Sequence, residues 1–148
     1  MAHTLGTFRR QRGAAAIEFA IVASVFFVIL LGAIEMGRLL WTWNAAAEAT
    51  RLGARMAVVC DINDSTIVTR MQERLPALAP GNIVLQYLPA GCTADTCQSV
   101  RVSLSGYTHQ PIIPLALVGG TALSIAIPPF QTTLPREFMQ SAGNPVCN

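Results

Sequence analysis

Between residues 14 and 34 the chain reads AAAIEFAIVASVFFVILLGAI, 21 residues in which Glu18 is the only charge. A helix of about 20 apolar residues spans the ~30 Å hydrocarbon layer of a bilayer. The segment is therefore of membrane length, and any account of the chain has to explain its one carboxylate. Arg9, Arg10 and Arg12 precede it, ahead of Gly13, and Arg38, Trp41 and Trp43 mark its far end. Basic residues are retained on the cytoplasmic side, and tryptophans settle at the membrane interface. The arginines thus act as topology determinants: the N-terminus is expected in the cytoplasm and everything after about residue 40 outside it.

A secretory signal peptide removed whole is the competing reading. The apolar region is longer than a usual signal core, and no small-x-small cleavage site followed by a break closes it. Instead the helical pattern runs on, with no proline before Pro76. Ala45, Ala49, Leu52, Met56 and Val59 recur at spacings of four and three as an apolar stripe, while Asn44, Glu48, Arg51 and Arg55 occupy another face. Glu35 with Arg38 and Glu48 with Arg51 add i, i+3 pairs. One helix from about Ala14 to about Val59 would be roughly 70 Å long at 1.5 Å per residue. Its first half would be a membrane span and its second half a spine for an outer domain.

At 148 residues the chain has room for one small soluble domain beside that appendage. Charged residues make up only 12% of it, about half the usual share, and lysine is absent. After Gly13 there remain seven arginines against eight carboxylates, a formal charge of −1. Nothing in this resembles the basic stripe that a phosphate backbone requires, so nucleic acid is not an expected partner.

All four cysteines, Cys60, Cys92, Cys97 and Cys147, follow the apolar segment. An even count on the outer side favours disulfides. Three pairings are open, and the preferred one closes a tight loop between Cys92 and Cys97 and leaves Cys60 with Cys147 to tie the domain's ends together. A four-thiolate zinc site is disfavoured, because the one close pair is spaced wider than the two-residue gap of zinc knuckles.

Beyond Cys60 the composition turns to loop formers. CDINDST offers Asp64 or Ser65 as a cap for a helix from about Thr66 to Leu78, with Ile67, Val68, Met71, Leu75 and Leu78 towards the core and Pro76 kinking or ending it. NIVLQYL reads as a strand, and SVRVSLSGY is the clearest one, since Val100, Val102 and Leu104 alternate with Arg101, Ser103 and Ser105. HQPIIPLALVGG is apolar but broken by proline, so Ile112, Ile113, Leu115 and Leu117 are read as core residues of a short helix or loop. TALSIAI is a third strand, and the tail after Pro128 reads as irregular until PREFM. The expected fold class is α+β, a long N-terminal helix packed on an antiparallel sheet of three or four strands. Catalytic chemistry has little to stand on: His109 is the only histidine after the leader, and Gly119-Gly120 lacks the pattern of a phosphate loop. No enzyme activity, metal or cofactor is expected.

A basic leader, a glycine, and an apolar helix with Glu at its fifth position resemble the type IV pilin and pseudopilin class. Here these are Gly13, Ala14-Ala15-Ala16-Ile17, then Glu18-Phe19. RGAAAIEFAIV, LLGAIEMGRLLW, NAAAEATRLGARMAVV, VRVSLSGY and TTLPREFM together resemble the TadE-like proteins, pilin-like components of tight-adherence (Flp) pilus systems. Phe19 and the long outer domain favour this minor class over the major Flp pilins, which are much shorter and usually carry Tyr after the motif Glu.

The resemblance implies a pilin-like plan: a cytoplasmic leader over residues 1–13, a transmembrane half of the long helix over 14–40, its extracytoplasmic half over 41–60, and a periplasmic α+β domain over 61–148. It implies cleavage after Gly13 by a prepilin peptidase, leaving Ala14 with a new α-ammonium. Implied partners are other pilin-like subunits, reached through the N-terminal helix as a hetero-oligomer, the inner-membrane assembly platform, and membrane lipid. The implied location is a bacterial inner membrane. A carboxylate in lipid is expensive unless paired, so Glu18 is expected to pair with the Ala14 amine of a neighbouring subunit and set axial register. The competing reading keeps Glu18 at the interface, snorkelling or protonated. As a whole-chain alternative, the protein is a signal-anchored scaffold that binds secretion partners without entering a filament.

Overall fold

The computed structural model describes residues 11–112 and 124–147, with side chains from Gly13 onward. Arg9, Arg10 and the side chain of Arg12 lie outside the described residues, as do Ile113, Leu115, Leu117, Gly119 and Gly120. Among the described residues, one N-terminal helix, two further short helical segments and five strands make an α+β fold with a small antiparallel sheet. By its contacts the chain divides into two compact units, one up to Gly37 and one from Arg38 onward.

Helix α1 runs Gln11–Ala57, 47 residues. Alanine, leucine and arginine dominate its second half and no proline interrupts it, so propagation meets no barrier until the turn after Ala57. Gly13 lies inside this helix, not ahead of it. In the second unit α1 turns a small-residue face inward: Ala46, Ala49, Thr50, Ala54 and Ala57 are all buried. The stripe expected from periodicity is displaced by about one residue. Ala49 and Met56 do lie in the core, but Ala45, Leu52 and Val59 are half-buried flanks, while Asn44, Glu48, Arg51 and Arg55 are exposed as expected. Small side chains win the central positions because they let a neighbour approach closely. A Cβ placed on Gly53 would sit 2.4 Å from Met71 Sδ and 3.0 Å from Met71 Cγ.

Helix α2, Ser65–Arg74, supplies Met71. Asp64 is its N-cap, accepting the Thr66 amide hydrogen at 2.9 Å. The hydroxyl of Ser141 and the Thr66 amide both stabilise the ionised form of Asp64, which holds its carboxyl below the usual 3.8. That contribution to stability is full above pH 3.8 and is lost as pH falls through the lowered folded value. The expected helix ran to Leu78; it stops earlier because Pro76 disfavours helical backbone at Leu75, which adopts φ −136°. Ile67, Met71, Leu75 and Leu78 are buried, whereas Val68 is only half-buried.

The main sheet has the order β1-β2-β5, all antiparallel: β1 is Ile83–Leu88, β2 Ser99–Leu104 and β5 Gln131–Pro135. Val100, Val102 and Leu104 point inward from the central strand and complete the core with the small face of α1 and the apolar side of α2. A separate two-stranded ladder pairs β3, Thr108–His109, with β4, Ile125–Ala126. The TALSIAI strand thus pairs at Ile125–Ala126 in this small ladder, not in the main sheet; residues 121–123 lie outside the described set. The tail was expected to be irregular up to PREFM, yet Gln131–Pro135 is an edge strand of the main sheet. Its proline is tolerated there because an edge position leaves one side of the ladder unbonded.

After β5 the tail returns to the end of α1. The amides of Glu137 and Gln140 donate to the carbonyls of Val58 and Val59 at 3.2 and 3.0 Å, and the Asp61 amide donates to Ser141 Oγ at 2.8 Å. Ser141 also donates to Asp64, and Thr66 Oγ1 donates to the Cys147 carbonyl at 3.1 Å. Cys60 and Cys147, 87 residues apart, are joined by a disulfide, as are Cys92 and Cys97, 5 apart. In the loop-entropy account the long closure stabilises by about 4 to 5 kcal/mol and the short one by about 2.

At Gly53 the side chain of Met71 from α2 leaves no room for a Cβ on α1. Gly53→Val is expected to destabilise the fold by about 1 to 3 kcal/mol through overpacking, and Met71→Ala in the same chain to recover part of that loss. Thermal unfolding of the full chain in detergent, single variants against the double, checks both.

Candidate functional site

In the first unit the described residues are the apolar part of α1, and no other described residue of that unit covers it. From Ile17 to Met36 thirteen large apolar side chains are exposed, among them Phe19 at 75% and Val28 at 72%. Ser24, the one hydroxyl in the run, donates to the Ala20 carbonyl at 2.6 Å, so the helix itself satisfies it. The helix is long and apolar enough to cross a membrane.

At its start lie the residues singled out from sequence. Gly13, Ala14, Glu18 and Phe19 are all helical and exposed. Ala14 and Glu18 are four apart and share a face. Among the described residues, the Glu18 side chain makes no ion pair or hydrogen bond. Its carboxylate is therefore an acceptor offered outward from an apolar surface. A Cβ on Gly13 would meet nothing within 4 Å, and its backbone is not left-handed. A glycine inside a helix costs about 1 kcal/mol relative to alanine, and nothing in this fold requires one here.

Residues 13–55 match the family model described as TadE-like protein. Over those residues, under a third of its length, the chain is similar to the TadE-like family. No curated protein and no solved structure gives a match. The TadE-like match begins at Gly13, takes in the exposed apolar helix, and ends on the α1 spine of the second unit, leaving the sheet outside it.

The remaining sequence candidates fall elsewhere. Cys60, Asp64 and Cys147 bring ligand-type atoms within 4.8 Å of one another, but both sulfurs are used in the disulfide and offer no thiolate to a metal. His109 is 5% exposed, its Nδ1 lying 3.4 Å from Thr42 Oγ1. Because the Thr42 hydroxyl donates to the Arg38 carbonyl at 2.9 Å, its oxygen is left to accept from Nδ1–H. The imidazole thus braces β3 against α1. Sequence reasoning did not find this, nor the cavity beside it; the signal available was Arg38, Trp41 and Thr42 at i, i+3 and i+4, which places them on one side of α1.

If Gly13 has no part in this fold, Gly13→Ala raises folding stability, by up to about 1 kcal/mol, as for a glycine replaced inside a helix, and a loss of stability would show that the fold needs the glycine. Thermal unfolding of the uncleaved full chain is the measurement.

Proposed function

We propose that the chain is a pseudopilin or minor pilin of a Tad (Flp) pilus assembly, inserted in a bacterial inner membrane through α1 and cut by a prepilin peptidase after Gly13. The observation that carries this reading is the uncovered apolar helix, with the Glu18 carboxylate five residues beyond a glycine that the fold does not need. In this reading Arg9, Arg10 and Arg12 hold the leader in the cytoplasm, and the unit from Arg38 onward faces the periplasm, where its two disulfides persist.

Cleavage would expose the Ala14 α-ammonium. Lipid offers Glu18 no partner, and a carboxylate in the hydrocarbon layer costs about 2.5 to 3.5 kcal/mol even on the mildest scale. The ammonium of an adjacent subunit relieves that cost and fixes one subunit axially against the next. Helix-to-helix contact with other pilin-like subunits then covers the apolar surface once it leaves lipid. The role is to prime or support pilus assembly together with the inner-membrane platform, and no catalytic step is assigned to this chain.

N-terminal peptide mapping and intact mass of the membrane-purified protein, with and without its prepilin peptidase, test the reading. A chain beginning at Ala14 only when the peptidase is present is the expected result, with Glu18→Ala cut normally but incorporated poorly. A chain beginning at Met1 in both samples, or cut beyond residue 35, would overturn it and leave an anchored or secreted scaffold domain.

A further inference from the structure

The turn that leads from α1 into α2 reads Asp61-Ile62-Asn63-Asp64-Ser65. It holds an Asn-x-Ser sequon with Asp in the middle position, the acceptor pattern for N-linked glycosylation. Asn44, Asn82 and Asn144 have no hydroxyl two residues on. Asn63 is exposed at φ 59°, and its main-chain N–H donates to the Tyr87 hydroxyl at 3.1 Å. Among the described residues its carboxamide makes no hydrogen bond, and neither does the hydroxyl of Ser65, exposed at the first position of α2. Asp61 is exposed as well, so a carboxylate two residues ahead of the acceptor gives an enzyme a charged handle that the sequon alone lacks.

A left-handed turn selects asparagine on conformational grounds too. Glycine would serve that turn equally. What the turn does not require is an idle carboxamide on the surface with a free hydroxyl two residues on.

The order in which contacts form gives this acceptor a period of access. The tertiary contacts that fix the segment come from later in the chain: Tyr87 is 24 residues beyond Asn63, Ser141 is 80 beyond Asp61, and Cys147 is 87 beyond Cys60. Helix α2 has 10 residues, and isolated helices shorter than about 12 to 15 residues are marginal in water. A chain emerging from the membrane therefore leaves residues 61–65 unfastened until its tail arrives and Cys60 meets Cys147. After folding, Asn63 stays on the surface, so a glycan added earlier needs no repacking.

We propose that Asn63 is a glycosylation site, the acceptor for an oligosaccharide carried on a polyprenyl diphosphate and transferred by a membrane oligosaccharyltransferase. Asn63 Nδ2 attacks C1 of the first sugar. The N–C1 bond forms, the C1–O bond to the diphosphate breaks, its electron pair leaves with the lipid diphosphate, and Nδ2 gives up one proton to a base of the transferase. The site rests on the proposed placement of the unit from Arg38 onward outside the cytoplasm. Its sugar covers the exposed turn between Cys60 and α2, the kind of segment that proteases nick first.

The test purifies the full chain from membranes of its native host, alkylates free thiols, then reduces the disulfides and maps the tryptic peptide over residues 56–70, bounded by Arg55 and Arg70, with fragmentation that leaves side-chain groups attached. A hexose- or hexosamine-containing mass on Asn63 is the expected result. Asn63→Gly, which keeps the left-handed turn, and Ser65→Ala should each abolish it, while Ser65→Thr should retain it. Thermal unfolding of each variant in detergent separates a lost acceptor from a lost fold. An oxidised Cys60 beside an unmodified Asn63 overturns the proposal and leaves the placement of the outer unit standing, whereas a Cys60 alkylated as a free thiol removes both. Sugar that survives Asn63→Gly is linked to a hydroxyl and overturns the proposal as well.

Discussion

Water cannot be the permanent solvent of the helix between Ile17 and Met36. Thirteen large apolar side chains are exposed there, and covering them fully is worth about 20 to 40 kcal/mol at about 1.5 to 3 kcal/mol each. That exceeds the roughly 5 to 15 kcal/mol that holds a typical domain folded. Whatever covers this surface therefore controls where the protein resides more strongly than its own folding does. In the proposed reading lipid meets the requirement before assembly and neighbouring helices meet it afterwards, which is why Glu18, the one charge between Ala14 and Ile34, carries so much of the functional argument.

From Arg38 onward the same helix solves a different problem. Its inward face is built of Ala46, Ala49, Ala54 and Ala57 with Gly53 among them, so α2 and the sheet can approach its backbone. The far end of the helix is then fastened by the tail. Main-chain amides of Glu137 and Gln140 take the carbonyls of Val58 and Val59, and the Cys60–Cys147 disulfide closes the path covalently. The tail thus serves as the C-terminal cap of α1, a task that a glycine often performs in shorter helices.

Much of this was legible in the residues. The uninterrupted run from Ala14 to Ile34, the absence of proline before Pro76 and the alternation of Val100, Val102 and Leu104 each follow from a local period, and local periods survive folding. What escaped is set by tertiary contact. The core face of α1 is displaced by about a residue because Met71 needs a glycine opposite it, not a larger apolar partner. Gln131–Pro135 gives no alternating apolar signal, and it becomes a strand because the free edge of β2 accepts it. Early in the chain, sequence carried more than structure could add: the fold shows Gly13 exposed and unneeded, while its meaning comes from the arginines before it, Glu18 after it, and the TadE-like match that begins there.

The central claim is that the exposed run of α1 is solvated by lipid. Alkaline carbonate extraction of membranes from cells expressing the full chain measures this directly, with its disulfides intact. The account predicts that the protein stays with the sedimented bilayer, as an integral protein does. Release into the supernatant as a folded, oxidised chain would contradict it, because the apolar helix would then have to be covered by protein alone.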